Sequence, residues 1–266
     1  MSEQRALSIL FLSTEYPPET GWGGIGTYTY NMAKALAKRG HEVHVLSVAP
    51  RQPERDYLDG LVHVHRFPQR ELWKLRRLRS APMPLPHLEK ALSTYMAHRR
   101  LGIEFDVVEY PEWSAEGLFF SLRRDKPTVA HLHTSLAINL QISGLCESTP
   151  SRLADYLEGL SVRRADGITS PSRALAAWSA QRFGLGNRAI AVIPYPAPTQ
   201  ELTSDDALEH PQRAHVLFVG RLEFRKNPEV IVRAAKLVRE KIPSAEFMFV
   251  GGSQVRNGMS LSLIHI

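Results

Sequence analysis

The chain has a single cysteine, Cys146, so it can form no intrachain disulfide and no cysteine-paired zinc site. With no disulfide framework, a reducing cytoplasm is the expected home. No segment approaches the roughly eighteen consecutive apolar residues of a membrane span. The N-terminal apolar run, Ser8 to Ser13, is short and flanked by Glu3 and Glu15. It therefore reads as a buried first strand rather than a secretion signal. Also absent are a P-loop, a Gly-x-Ser-x-Gly elbow, a His-Glu-x-x-His helix and an Asp-x-Asp pair. The chemistries those motifs carry have no foothold here.

What is present is an ordinary globular composition of 266 residues, 43% hydrophobic and 23% charged. Lysine and arginine exceed aspartate and glutamate by 33 to 27, a formal net charge of +6. That balance favours anionic partners without choosing among nucleotides, lipid surfaces and nucleic acid. Strand-like stretches are continuous apolar runs alternating with helical patterns, which points to an α/β fold with parallel sheets covered on both faces. Helical spacing of Ile25, Thr29, Met32, Ala33 and Leu36 follows the first strand and closes at Gly40. Further strands are expected at 42–47, 61–67, 106–109, 128–133, 167–170 and 190–193. Helices are expected at 87–100, 115–124, 151–164 and 172–183, the last N-capped by Ser172. Residues 199–213 are polar and acidic and read as a linker between a first domain, 1–198, and a second beginning at 214. A strand at 216–219, a helix with Asn227 as N-cap and Pro228 at N1, and a strand at 246–250 follow. One β-α-β unit cannot cover its own sheet, so the second domain, 214–252, is expected to be incomplete. Residues 253–266 end in Leu261 to Ile266, which resembles the translation of a sequencing adapter, and are expected to be a non-native tail.

Two strand-to-helix junctions carry the functional signal. Gly21, Gly23, Gly24 and Gly26 precede the first helix, where orphan N–H groups and the helix dipole favour an anion. The literal Gly-x-Gly-x-x-Gly match is not read as a dinucleotide site. Two prolines separate it from the strand, and the second strand ends in Leu46-Ser47 where an acid is needed. At the second junction, Arg221 and Lys226 follow the apolar strand ending at Gly220 and offer a planar fork and a compact charge to phosphate oxygens. A loop that only lets the helix pack closely, and a solvated basic loop, are the respective alternatives.

His131 and His133 lie two residues apart, without a carboxylate or third histidine at ligand spacing, so a metal pair is discounted. His133, at the strand's C-terminal end, is the functional candidate. His63 and His65 read as edge-strand residues. The run Arg66, Arg70, Lys74, Arg76, Arg77 and Arg79, interleaved with Leu72, Trp73, Leu75 and Leu78, suits either a solvated helix face or peripheral contact with an anionic membrane. Without a nucleic-acid fold signature, nucleic acid is not expected as a partner.

The ordered pieces Glu15-Tyr16-Pro17-Pro18, Gly23 to Tyr28, Arg39 to Val43, Phe105 to Glu109, Ala130 to Thr134, Ala165 to Ile168, Val192-Ile193-Pro194 and Val219-Gly220-Arg221 with Lys226 resemble retaining glycosyltransferases of the GT-B fold, family 4. The likeness runs over residues 6–252. It implies two Rossmann-like parallel-sheet domains with a nucleoside diphosphate sugar between them, and no metal or other cofactor. By the resemblance, Gly23, Gly24 and Gly26 approach the donor diphosphate, and Arg221 and Lys226 hold it and stabilise the leaving charge. His133 lies near the transferred sugar. Tyr110, Glu112 and Trp113, after a strand end, are candidates for contact with an acceptor hydroxyl of unknown identity. Two departures stand out. The family's Glu-seven residues-Glu motif appears only as Glu104/Glu112 and Glu201/Glu209, before the second domain, and is read as coincidence. Tyr195-Pro196 stands where many relatives carry Asn-Gly. The chain as written is therefore expected to be inactive, although its parent is an enzyme. A nucleotide-sugar 2-epimerase of the same architecture and a non-catalytic sugar-nucleotide-binding protein are the rival readings.

Overall fold

The structure, a computed structural model, describes residues 5–18, 20, 23–50, 52–69, 85–197, 214–223 and 226–251, with the backbone of 264–265. The basic run from Arg70 to Arg79, the expected linker 199–213 and residues 252–263 lie outside this set. The chain divides into two compact units, Met1–Pro198 and Thr199–Ile266.

The first unit is built on an eight-stranded sheet ordered β3-β4-β2-β1-β5-β6-β7-β8. Its strands are β1 (Ser8–Leu12), β2 (Glu42–Ala49), β3 (Arg55–Asp59), β4 (Val62–Pro68), β5 (Val107–Pro111), β6 (Thr128–His131), β7 (Gly167–Ser170) and β8 (Ala191–Val192). All pairings are parallel except the one at the edge, β3 with β4. The apolar run of β1 is explained by alternation between two cores. Leu10 and Leu12 pack with Phe105, Phe120 and Val162, whereas Ile9 and Phe11 pack with Ala33, Ala37 and Val43. A strand buried on both faces has no polar positions to spare. Helices α1 (Gly24–Lys38), α2 (Leu85–Leu101), α3 (Leu118–Arg123), α4 (Leu136–Ile142), α5 (Thr149–Arg164) and α6 (Arg173–Arg182) complete the unit. Gly40 has φ 88° just past α1, the left-handed stop expected there. Ser172 accepts the Leu175 N–H at the start of α6.

Strand order reverses at β1, which lies between β2 and β5. In open α/β sheets this switch opens a crevice beyond the carboxyl ends of the strands. The β1–α1 loop and the ends of β5 and β6 meet there.

Two expectations about β4 are corrected. His63 and His65 are not on an edge strand, because β3 pairs outside β4. His65 is buried and bridges His44 Nδ1 at 2.9 Å and Asp56 at 2.9 Å. Arg66 does not belong to a solvated basic face. It is 2% exposed and donates to the Tyr16 carbonyl at 2.8 Å, the Tyr57 hydroxyl at 2.9 Å and Ser47 Oγ at 3.4 Å.

In the second unit β9 (His215–Val219) and β10 (Glu246–Val250) pair in parallel, and α7 (Pro228–Lys241) crosses between them. Phe247, Phe249, Ala235 and Ala245 form its core with Phe218 and Ile231. On the opposite face Leu217 and Val219 remain 59% and 70% exposed. Pro228 begins α7, but Asn227 takes a left-handed φ of 48° and makes no side-chain cap. The backbone of β11 (Ile264–His265) pairs antiparallel with β10.

Candidate functional site

The first turn of α1 carries no acidic residue and its N-cap, Gly23, has no side chain to close it. Glu15 reaches in from the β1–α1 loop instead, and Oε2 accepts the Gly26 N–H at 3.3 Å. A Cβ on Gly23 would come 2.1 Å from that oxygen, so a side chain there would displace the Glu15 carboxylate. A Cβ on Gly24 would meet nothing within 4 Å. The three expected glycines thus differ: Gly24 is exposed, Gly23 half-buried, and Gly26 buried with its N–H already committed to a carboxylate. Gly26 is therefore not placed to contact a phosphate.

A pocket of about 230 Å³ opens at this helix end, lined by Gly23, Gly24, Thr27, Tyr28, Asn31, Tyr195 and Pro196. Residues 24, 27, 28 and 31 recur at helical spacing, so α1 offers one stripe of backbone, hydroxyl, ring and amide. Behind the pocket wall lies an aromatic box. The Tyr28 ring stacks on His131 with centroids 4.0 Å apart and meets His133 edge-on at 5.3 Å. Its hydroxyl donates to Glu109 at 2.6 Å. Burial pushes the Glu109 carboxyl up to about 7, partly offset by this hydrogen bond.

His133 lies just past the end of β6, in the turn that leads to α4. Its backbone N–H points to both Glu112 oxygens at 2.8 Å, and its Nδ1 is 2.7 Å from the Tyr195 hydroxyl. Burial, with His131 nearby, holds the imidazole neutral well below the ordinary histidine range. His131 is held down to about 4 by burial, with Nδ1 bonded to Thr169 at 2.6 Å and Nε2 without a hydrogen-bond partner. Under this floor Glu112 is pushed up to about 8, first by burial and then by the charge of Glu158, while backbone donors including the His133 N–H pull it down. Glu158 accepts the N–H groups of Ser114 and Leu136, both at 2.9 Å.

The expected acceptor contacts change accordingly. Tyr110 is a core residue: its hydroxyl donates to the Ser161 carbonyl at 2.9 Å and Gly117 abuts its ring, so it has no surface to offer an acceptor. Glu112 is buried beneath His133 rather than facing solvent. Trp113 is half-buried in a 3₁₀ turn, Trp113–Ala115. In the second unit Arg221 and Lys226 are both exposed; the Arg221 guanidinium lies 3.9 Å from Glu223, and the Lys226 N–H donates to the Glu223 carbonyl at 2.9 Å. Sequence reasoning did not single out Tyr28, Glu109, Asn31 or Tyr195 as site residues. Tyr28 and Asn31 were signalled by the helical recurrence of positions 24, 27, 28 and 31, and Tyr195 only by its place where many relatives carry Asn. Among the described residues no cluster of three or more histidine, cysteine, aspartate or glutamate side chains could hold a metal. Nor is any helix among them long and apolar enough to cross a membrane.

Comparison with known proteins places this geometry in a family. Residues 22–201 match the pattern of Glycosyltransferase Family 4. The chain is 26% identical over 259 residues to the glycogen synthase of Mycobacterium tuberculosis, covering 92% of this chain and 61% of that protein. It is 27% identical over 264 residues to a D-inositol 3-phosphate glycosyltransferase of Arthrobacter sp., covering 91% and 60%. It therefore spans about three fifths of the length of these relatives. Its fold is similar to that of the catalytic domain of starch synthase IV from Arabidopsis thaliana, solved with ADP and acarbose, at a TM-score of 0.60 and 14% identity over 94% of this chain and 69% of that one. The α/β, GT-B-type architecture expected from the sequence is thus present, and the chain belongs to glycosyltransferase family 4.

Proposed function

We propose that the protein transfers a hexosyl-type sugar from a nucleoside diphosphate sugar to an acceptor hydroxyl, with retention at the anomeric carbon. The observation that carries this reading is the pocket at the N-terminus of α1, where Gly24 leaves open space beside hydrogen-bonding side chains and the His133–Tyr195 pair. The start of α1 at the exposed Gly24 supplies backbone donors and a favourable dipole for a phosphate oxygen, although Glu15 already takes the Gly26 N–H. In the second unit, Arg221 and Lys226 are the cations we assign to a diphosphate, by the family resemblance. Fixed positive charge stabilises the negative charge that develops as the nucleotide leaves. His133, neutral and buried beside the pocket wall, is assigned to the transferred sugar. Thr27 and Asn31 on the α1 stripe offer uncharged partners for hydroxyl groups, which supports a polyol or sugar at this end of the site.

Calorimetric titration of the chain with UDP, ADP and GDP, followed by nucleotide-release assays with the matching sugar donors and a panel of hydroxyl acceptors, tests the proposal. The expected result is micromolar binding of one diphosphate, acceptor-dependent release in the full-length gene product, and a product with the donor's anomeric configuration by NMR. Epimerisation of the donor without an acceptor would instead establish the 2-epimerase reading. Binding without turnover in the full-length product would establish a sugar-nucleotide-binding protein.

A further inference from the structure

We propose that Tyr195 is a positioning residue for His133: its phenol O–H donates to Nδ1, locks the ring proton on Nε2, and makes His133 a hydrogen-bond donor to a substrate oxygen rather than a base. The geometry begins with the 2.7 Å contact between the Tyr195 hydroxyl and His133 Nδ1. A phenol is a better donor than acceptor, and the bare nitrogen of a neutral imidazole is a strong acceptor, so O–H to N is the favoured sense. The reverse sense would pair a ring N–H with a weakly accepting phenol oxygen. One neutral imidazole carries one ring proton, and with Nδ1 accepting, that proton sits on Nε2.

The surroundings leave few alternatives. Tyr28 cannot serve His133 in the same way, because its hydroxyl is committed to Glu109 at 2.6 Å. His131 has its own partner, Thr169. The His133 ring, 8% exposed, is packed edge-on against Tyr28 and against His131 at 4.7 Å, and tilted on Tyr195 at 5.6 Å. Its main chain is fixed through the bonds to Glu112. Burial also keeps the ring neutral, as the tautomer argument requires. Tyr195 itself is 42% exposed and lines the pocket. It therefore couples the pocket wall to the buried ring. An imidazole whose Nδ1 is occupied has only Nε2 to offer a ligand, and a protonated Nε2 can donate but not accept.

This inference rests on the glycosyl-transfer reading only for the identity of the oxygen that is served. Nitrogen NMR of the chain labelled at histidine reads the tautomer directly. Unprotonated Nδ1 and protonated Nε2 are expected for His133 in the wild type, and Tyr195→Phe, which keeps the ring and removes the hydroxyl, is expected to shift the population toward Nδ1–H. Protonated Nδ1 in the wild type, or an unchanged tautomer in Tyr195→Phe, overturns the proposal. The wild-type spectrum decides even if the variant does not fold. In turnover, His133→Gln, whose amide N–H reaches the Nε2 position, should retain about tenfold more kcat/KM than His133→Asn, whose amide mimics Nδ1. Equal loss in both variants counts against a donor role. Failure of nucleotide binding with the expected tautomer in place would defeat the functional reading while supporting the hydrogen-bond assignment.

Discussion

Burial and the neighbouring Glu158 push the Glu112 carboxyl up to about 8, against backbone donors that pull it down. In the unfolded chain it titrates near its ordinary value of 4.5, so between about 4.5 and 8 the folded state holds a proton that the unfolded chain has released. Its contribution to stability is full below 4.5 and is lost as pH rises toward 8. Glu109, at about 7, acts in the same sense over a shorter range. His131 acts oppositely: its folded value near 4 lies below 6.5, so its contribution is lost as pH falls through that interval. The opposing slopes overlap in acid and separate above 6.5, where only the carboxyl groups among these residues still titrate. The melting temperature should therefore fall from pH 7 to pH 8.5, and Glu112→Gln should flatten that fall. An unchanged slope in the variant would exclude Glu112 as its source. Gly24 offers a complementary test, because a Cβ there meets nothing within 4 Å. Gly24→Val should leave the melting temperature within about 2 °C, while nucleotide affinity drops about tenfold or more if a ligand approaches the backbone. Unchanged affinity by calorimetry would leave Gly24 with no role in binding.

At the scale of elements, Arg66 ties together parts that the sequence leaves far apart. Its guanidinium sits in the sheet interior on β4 and joins the carbonyl of Tyr16 in the β1–α1 loop to the Tyr57 hydroxyl on β3. Arg66→Leu fills part of the space but leaves the Tyr16 carbonyl without this donor. A loss of about 2 kcal/mol or more is expected in a denaturant titration, with looser β3 and loop amides in hydrogen exchange. A loss below about 0.5 kcal/mol would mean that water or another donor replaces it. The same region marks where sequence reading ran out. The strands β1 and β2 were legible because burial on both faces writes nearly continuous apolar runs. Strand β3, Arg55–Asp59, covers an edge with charged residues and carries no such run. Arg66 looked like the head of a basic helix because the downstream bases matched it, whereas pairing with β2 places it inside. The site was legible in part: glycines before α1 and a histidine after β6 are local features, but Tyr28 to Glu109 and His133 to Tyr195 are pairings across 81 and 62 residues. Only the order of strands in the sheet brings such pairs together.

At the scale of the whole molecule, each unit carries its own feature suited to an anion. The first unit has a helix end with an open glycine but places Glu15 on its Gly26 N–H, a negative charge that opposes a second anion nearby. The second has Arg221 and Lys226, exposed after β9. If Arg221 and Lys226 hold a diphosphate, removing them must cost the phosphates and spare the nucleoside. Arg221→Ala with Lys226→Ala should weaken UDP or ADP binding by about tenfold to a hundredfold, and the nucleoside by less than about threefold. The wild-type preference for diphosphate over nucleoside should also shrink as salt rises, because exposed cations are screened within about 10 Å at 0.1 M ionic strength. Equal losses for nucleoside and diphosphate would point to a collapsed second unit rather than a missing charge, which circular dichroism of the variant would reveal. A diphosphate affinity that survives both substitutions would leave the α1 terminus holding the phosphates unaided, beside the Glu15 carboxylate.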